Sequence, residues 1–240
     1  AGGSVVESEL VIKEVAKLHA AWWGDERLDQ LPWLAMKGML TPEEAPLVFS
    51  QNWESFLGKL SIPVTEQLLW AGDLCTRYLR AVSVSMYTEP RTLIHNDVKA
   101  DNLLVTGDGE PSLAFVDWQL TTVARPVVDL ADFIVAYLDV PERRRHEDRL
   151  LKIYHAVLAA RGVDDYSIEE CRDDYRMAVL LPASRLATAV GFHPGLTATP
   201  VDPYPWMQLD FSRSASPDYL AIRRDGVVIA TNLDPADLFV

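Results

Sequence analysis

Basic residues are scarce in this chain. Twenty-two Lys and Arg stand against 35 Asp and Glu, a formal net charge of −13, with an isoelectric point near 4.7. Such an acidic surface repels phosphate backbones and argues against nucleic acid as a partner. Cysteine is scarcer still. Cys75 and Cys171 lie in helix-like stretches without metal-ligand spacing, and they read as reduced, buried thiols of a cytoplasmic protein. No apolar run approaches the roughly 20 residues that span a bilayer, and no signal-peptide pattern opens the chain. The 12 glycines form no G-x-G-x-x-G; Gly107 and Gly109 come nearest, but Ser112 fills the third place. Six lysines occur, and all but Lys99 sit in helical patterns. What the chain has in quantity is apolar side chains. At 49% of 240 residues, they suffice for the core of one large domain or two small ones.

The first ninety residues read as helical. Ser4 and Glu7 form a capping box ahead of Val11, Val15, Leu18 and Trp22, a helix ending near Gly24. Thr41-Pro42-Glu43-Glu44 is a second box, opening a helix with Phe49, Trp53, Phe56 and Leu60 on one face. A third helix starts near Pro63 and carries Leu68, Ala71, Cys75 and Leu79. Trp22, Trp23, Trp33 and Trp53 read as core. Residues 103–117 then read as a β-hairpin around Gly107-Asp108-Gly109-Glu110-Pro111. Helices resume over 129–138 and 141–161, where Gly162 is a stop signal. Ser167 and Glu170 open another, kinked at Pro182 and running toward Ala189. The charged run Arg143 to Arg149 reads as a solvated helix face. Residues 194–217 look irregular, and a small hairpin is expected around Asp225-Gly226.

The stretch LIHNDVKADNLLV, residues 93–105, holds the chemistry. His95, Asp97 and Asn102 follow H-x-D-x-x-x-x-N in a polar loop between two apolar runs. A loop leaving a strand can place an Asp as proton acceptor beside a substrate hydroxyl, and the Asn at its far end can offer a neutral oxygen to Mg²⁺. The hairpin returns at Asp117, in FVDWQ, which brings that carboxylate close to Asn102. Each residue also has a plainer reading. Asp97 could form a turn, Asn102 cap the loop, Asp117 end a strand, Asp129 cap a helix, and Lys99 face solvent.

Together these motifs resemble the catalytic loop of the protein-kinase-like superfamily, in its aminoglycoside phosphotransferase and choline-kinase-like branch, which includes the ecdysteroid-kinase-like members. Asp117-Trp118-Gln119 is similar to the branch's version of the kinase Asp-Phe-Gly motif, and Asp129-Leu130-Ala131 to its Asp-Leu-Ala helix start. LHAAWW, residues 18–23, resembles the helix after the hinge. The resemblance implies Asp97 as catalytic base, Asn102 and Asp117 as magnesium ligands that also hold the nucleotide, and Lys99 as a contact to the transferred phosphate. It implies structural roles for His95, which braces the loop, and for Asp129, which accepts hydrogen bonds from the loop backbone. ATP and Mg²⁺ follow as co-substrate and cofactor, and a small molecule bearing a hydroxyl as acceptor.

The resemblance covers roughly residues 1–200. The expected fold is α+β, a kinase-like C-terminal lobe with the catalytic loop at 95–102 and the hairpin at 103–117. Residues 201–240 form a tail outside the family pattern. With no glycine-rich loop and no strand lysine, the ATP-anchoring N-terminal lobe is absent, and the expectation is that it precedes Ala1 in a longer parent. Two readings stand: a phosphotransferase represented by its C-terminal lobe, and a non-catalytic kinase-like binding or interaction module.

Overall fold

The computed structural model describes residues 4–34, 40–106, 112–192, 222–224 and 227–230. The secondary structure is mostly helical with small antiparallel sheets, so the α+β expectation agrees with it. Among the described residues, seven α-helices run over α1 Val5–Ala21, α2 Glu44–Gly58, α3 Glu66–Met86, α4 Val127–Tyr137, α5 Val140–Ala160, α6 Ile168–Ala178 and α7 Leu180–Phe192. Three two-stranded sheets pair β1 Thr92–Ile94 with β4 Thr122–Ala124, β2 Leu103–Thr106 with β3 Ser112–Phe115, and β5 Ile222–Arg224 with β6 Val227–Ala230. None of the described helices is long and apolar enough to cross a membrane.

Local chemistry explains the helix ends. Ser4 Oγ accepts from the Glu7 amide at 3.2 Å while Glu7 Oε2 accepts from the Ser4 amide at 3.0 Å, the reciprocal bonds of a capping box. Ser167 and Glu170 repeat the arrangement at 3.1 and 2.8 Å. Thr41 and Glu44 do so too, although α2 begins at Glu44, after a turn at Pro42-Glu43. Gly162, at φ +91°, ends α5 in a conformation that other residues adopt at a cost. Near Pro182 the expected kinked helix is two helices, parted at Val179. Proline cannot donate to the carbonyl four residues back, and its ring crowds that carbonyl, so the chain breaks at 178–179. Pro182 then sits in the first turn of α7, where no donor is needed.

The chain divides into two compact units. In the first, which holds described residues 4–34 and 86–175, α1 packs along α5 and also meets α4 and β1. Val11, Ile12, Val15 and Ala16 of α1, with Leu150, Leu151, Tyr154 and Leu158 of α5, are buried there. The buried stripe of α1 differs from the expected one. Ile12, Ala16 and His19 lie in it, while Leu18 and Trp22 are only half-buried. Trp33 is 53% exposed, against the expectation of a core tryptophan. Arg143 is buried on the same face of α5 as Leu150, so the charged run is not wholly a solvated face.

In the second unit α2 packs on α7. Ser55 Oγ donates to the Gly191 carbonyl at 2.8 Å, and Lys59 Nζ donates to the carbonyls of Val190 and Gly191 at 2.7 and 2.9 Å. These bonds satisfy end-of-helix acceptors, with a cation at the negative end of the dipole. The turn at Gly107–Pro111 and the irregular stretch 194–217 lie outside the described residues. β5 and β6 fall where a terminal hairpin was expected.

The close approach of α2 and α7 makes a testable point. A Cβ on Gly191 would lie 2.4 Å from the Asn52 carbonyl oxygen, whereas one on Gly58 would meet nothing within 4 Å. Gly191→Ala is expected to lower unfolding free energy by about 1–3 kcal/mol, and Gly58→Ala to change it by no more than about 1 kcal/mol. Chemical denaturation of the two variants beside the parent checks both.

Candidate active site

The residues of the loop after β1 hang from one buried carboxylate. Asp129 lies in the first turn of α4 and is fully buried. Its Oδ2 accepts from the His95 amide at 2.8 Å and its Oδ1 from the Asn96 amide at 2.7 Å. His19 Nε2 is 3.1 Å from Oδ2, and His19 Nδ1 is 2.8 Å from the Tyr154 hydroxyl. Asp129 is therefore the acceptor that satisfies two backbone amides at the mouth of the loop, where the chain leaves β1.

Those two hydrogen bonds hold Asn96 in the left-handed region, φ 64°. Asn is among the few non-glycine residues that tolerate this conformation. The Asn96 side chain also donates to the Leu120 carbonyl at 3.0 Å. β1 pairs with β4 in register Leu93 to Val123, and Thr121 Oγ1 donates to the Ile94 carbonyl at 2.6 Å. The loop is thus tied from below by α4 and from the side by the segment before β4.

Asp97 follows, half-buried, and its Oδ2 accepts from Lys99 Nζ at 2.7 Å and from Asn102 Nδ2 at 2.8 Å. The same Nδ2 donates to the Asp97 carbonyl at 2.9 Å. Both amide hydrogens of the buried Asn102 are therefore directed at Asp97, leaving Oδ1 as the acceptor end of that side chain. Lys99 is 45% exposed at its side chain, so its pair with Asp97 can exchange for another anion at little cost.

The hairpin carries the second carboxylate. Leu103 faces Phe115 in the β2–β3 register, and the Val116 amide donates to the Asn102 carbonyl at 3.0 Å. Asp117 comes next, exposed and left-handed at φ 63° and ψ 64°, at the start of a single 3-10 turn Trp118–Leu120. Its Oδ2 accepts from Gln119 Nε2 at 3.2 Å. His95 lies beneath. Its Nε2 is 3.0 Å from the Val116 carbonyl, and its ring packs on Trp118 with centroids 4.7 Å apart. His95 Nδ1 is buried without a hydrogen-bond partner among the described residues.

The chain thus brings Asp97, Lys99, Asn102, Asp117, His95 and Asp129 into one connected region. Among the described residues no three His, Cys, Asp or Glu side chains converge as a metal site. The carboxylate of Asp117, exposed just past the hairpin strand next to Val116, and Asn102 Oδ1, the acceptor end of its side chain, are of the chemistry that Mg²⁺ takes, few protein oxygens with phosphate oxygens and water completing its shell. Two residues of this network, His19 and Tyr154, had no role in the sequence reading. Their signal was present in the helical stripes, because His19 follows Val15 by one turn and Tyr154 follows Leu150 by one turn.

Removing the anchor should be costly. Asp129→Ala leaves two buried amides unsatisfied, and the expected loss of stability is about 3 kcal/mol or more. Asp129→Asn, which keeps one acceptor oxygen, should lose less. Urea denaturation followed by near-ultraviolet circular dichroism reads the order of the three proteins.

Two comparisons found proteins or families similar to this chain. Among solved structures, ethanolamine kinase from Plasmodium vivax is similar, with a TM-score of 0.48 and 13% identity; the match covers 91% of this chain and 63% of that one. No curated protein sequence matches the chain. The model of the ecdysteroid kinase-like family matches residues 2–162, a span that takes in α1, the loop, the hairpin, α4 and α5. The chain belongs to the ecdysteroid kinase-like family.

Proposed function

We propose that this chain carries the catalytic-loop half of an ATP- and Mg²⁺-dependent phosphotransferase that moves the terminal phosphate onto a hydroxyl of a small molecule. One observation supports this above the others. Asn102 directs both amide hydrogens at Asp97 and sits across the hairpin from Val116, one residue before Asp117. This supports a reading in which Asp97 accepts the proton and Asn102 and Asp117 offer hard oxygens from neighbouring parts of the chain.

In this reading the Asp97 carboxylate orients the acceptor hydroxyl and receives its proton as the oxygen bonds to the terminal phosphorus. The bond from that phosphorus to the bridging oxygen breaks, and the nucleoside diphosphate leaves. Asn102 and Asp117 would hold the metal, which when bound neutralises charge on the phosphate oxygens. Lys99, paired with Asp97 at 2.7 Å, turns to the transferred phosphate when substrate enters. His95 and Asp129 act only on the shape of the loop.

The remaining parts of the reading belong to the same proposal. We assign residues 1–200 to the C-terminal lobe and leave 201–240 unassigned. The 240 residues hold no glycine-rich loop followed by a lysine that would anchor ATP, and the cytoplasm is the proposed working compartment. The alternative, a kinase-like binding module without catalysis, draws on the lack of those two ATP-anchoring motifs in these 240 residues.

Titration calorimetry with Mg-ATP tests the metal-phosphate half. Binding is expected in the parent chain and is expected to vanish in Asp117→Ala, or when magnesium is chelated. Equal heats in both proteins would remove Asp117 from the site. For the chemical step, Asp97→Ala should lower kcat by about 10²- to 10⁴-fold in a form that transfers phosphate, measured by release of the nucleoside diphosphate. Full activity in that variant would sink the base assignment.

A further inference from the structure

The proposed chemistry engages the loop and the hairpin, yet the buried network continues beyond them. His19 closes the last turn of α1 and is fully buried, and Tyr154 lies at mid-α5, also fully buried. The two side chains meet at 2.8 Å, edge to face, with ring centroids 5.7 Å apart. Thr92 Oγ1 donates to the His19 carbonyl at 2.7 Å, so the histidine is fixed through its backbone as well as through both ring nitrogens.

The direction of each bond follows from Asp129. Its two oxygens already accept the His95 and Asn96 amides. His19 Nε2 therefore faces an acceptor and must donate. In the tautomer that carries its proton on Nε2 alone, Nδ1 is an acceptor and the Tyr154 O–H is its donor. Burial pushes the Tyr154 hydroxyl well above the usual phenol range, which keeps that proton in place. A chain of donors thus runs from Tyr154 through His19 to Asp129 and onto the loop backbone.

We propose that His19 and Tyr154 are positioning residues for Asp97: together they fix the tautomer and orientation of the donor that aligns Asp129, and Asp129 holds the left-handed turn at Asn96 that aims the base. This rests on the reading of Asp97 as the base only for its catalytic consequence. The positioning itself is a property of the buried network.

Amide hydrogen exchange on this chain, with Tyr154→Phe, His19→Leu and His19→Gln, tests it. Tyr154→Phe keeps the ring and removes the hydroxyl alone, so it decides the matter even where His19→Leu fails to fold. The expected result is that the His95 and Asn96 amides exchange roughly five- to tenfold faster in Tyr154→Phe, the size of one lost hydrogen bond. Amides within α1, α4 and α5 keep their rates. His19→Gln, whose amide can still donate to Asp129, should exchange more slowly at His95 and Asn96 than His19→Leu does. A rise of equal size across α1, α4, α5 and the loop, or no rise at the loop, overturns the proposal. Where the parent transfers phosphate, Tyr154→Phe should lower kcat and leave KM for Mg-ATP unchanged, and an unaltered kcat overturns the catalytic consequence. A parent that transfers none defeats the functional reading instead, while the exchange rates still decide the positioning.

Discussion

A carboxylate that is fully buried needs partners, and Asp129 finds them in distant parts of the chain. Two are backbone amides of the loop after β1, and one is a ring nitrogen from the end of α1. Charged acceptors make the stronger hydrogen bonds, and their loss in a dry interior is costly. The same carboxylate that must be satisfied is therefore what gives the loop its shape. Without it, nothing in the short β1–β4 pairing would hold Asn96 in a conformation that most residues avoid.

The surrounding elements serve that junction. α1 packs along α5, which brings His19 against Tyr154, and α1 also meets β1, where Thr92 holds the His19 carbonyl. β1 receives β4 in register, so the segment after Asp117 returns beside the start of the loop. The three-residue strands are too short to be stable as an isolated ribbon. They persist because Ile94, Thr92, Thr122 and Ala124 are buried, and because side-chain bonds such as that from Thr121 Oγ1 to the Ile94 carbonyl reinforce the few ladder bonds.

Much of this was legible in the sequence because it is local. The capping boxes at Ser4, Thr41 and Ser167 depend on residues three apart, and each has its reciprocal bonds in the structure. The β2–β3 hairpin follows from alternating apolar runs around strong turn chemistry, and the ordered set at Asp97, Asn102 and Asp117 from spacing and family resemblance. What stayed hidden is non-local. β4, three residues long, has no periodicity to detect, and its partner lies some thirty residues earlier. The break at Val179 sits a turn ahead of the proline that causes it. His19 reads, with Ser8, as one of two polar residues in a mostly apolar stripe, and only the arrival of Asp129 and Tyr154 from far along the chain gives its ring partners.

The two carboxylates assigned to chemistry are also linked mechanically. Asp97 follows a left-handed Asn96, and Asp117 is itself left-handed; among the described residues these are the non-glycine positions with positive φ. Backbone of this kind costs about 1–3 kcal/mol and persists where the surroundings over-determine it. Here the constraints are shared. The Asn96 side chain holds the Leu120 carbonyl beyond Asp117, the Asn102 carbonyl holds the Val116 amide before it, and the Asn102 side chain holds Asp97. Relaxing either turn would break a bond that supports the other. An asparagine at 96 therefore does what a glycine could not, because its side-chain amide reaches from the Asp97 end of the loop to the Leu120 carbonyl beyond Asp117.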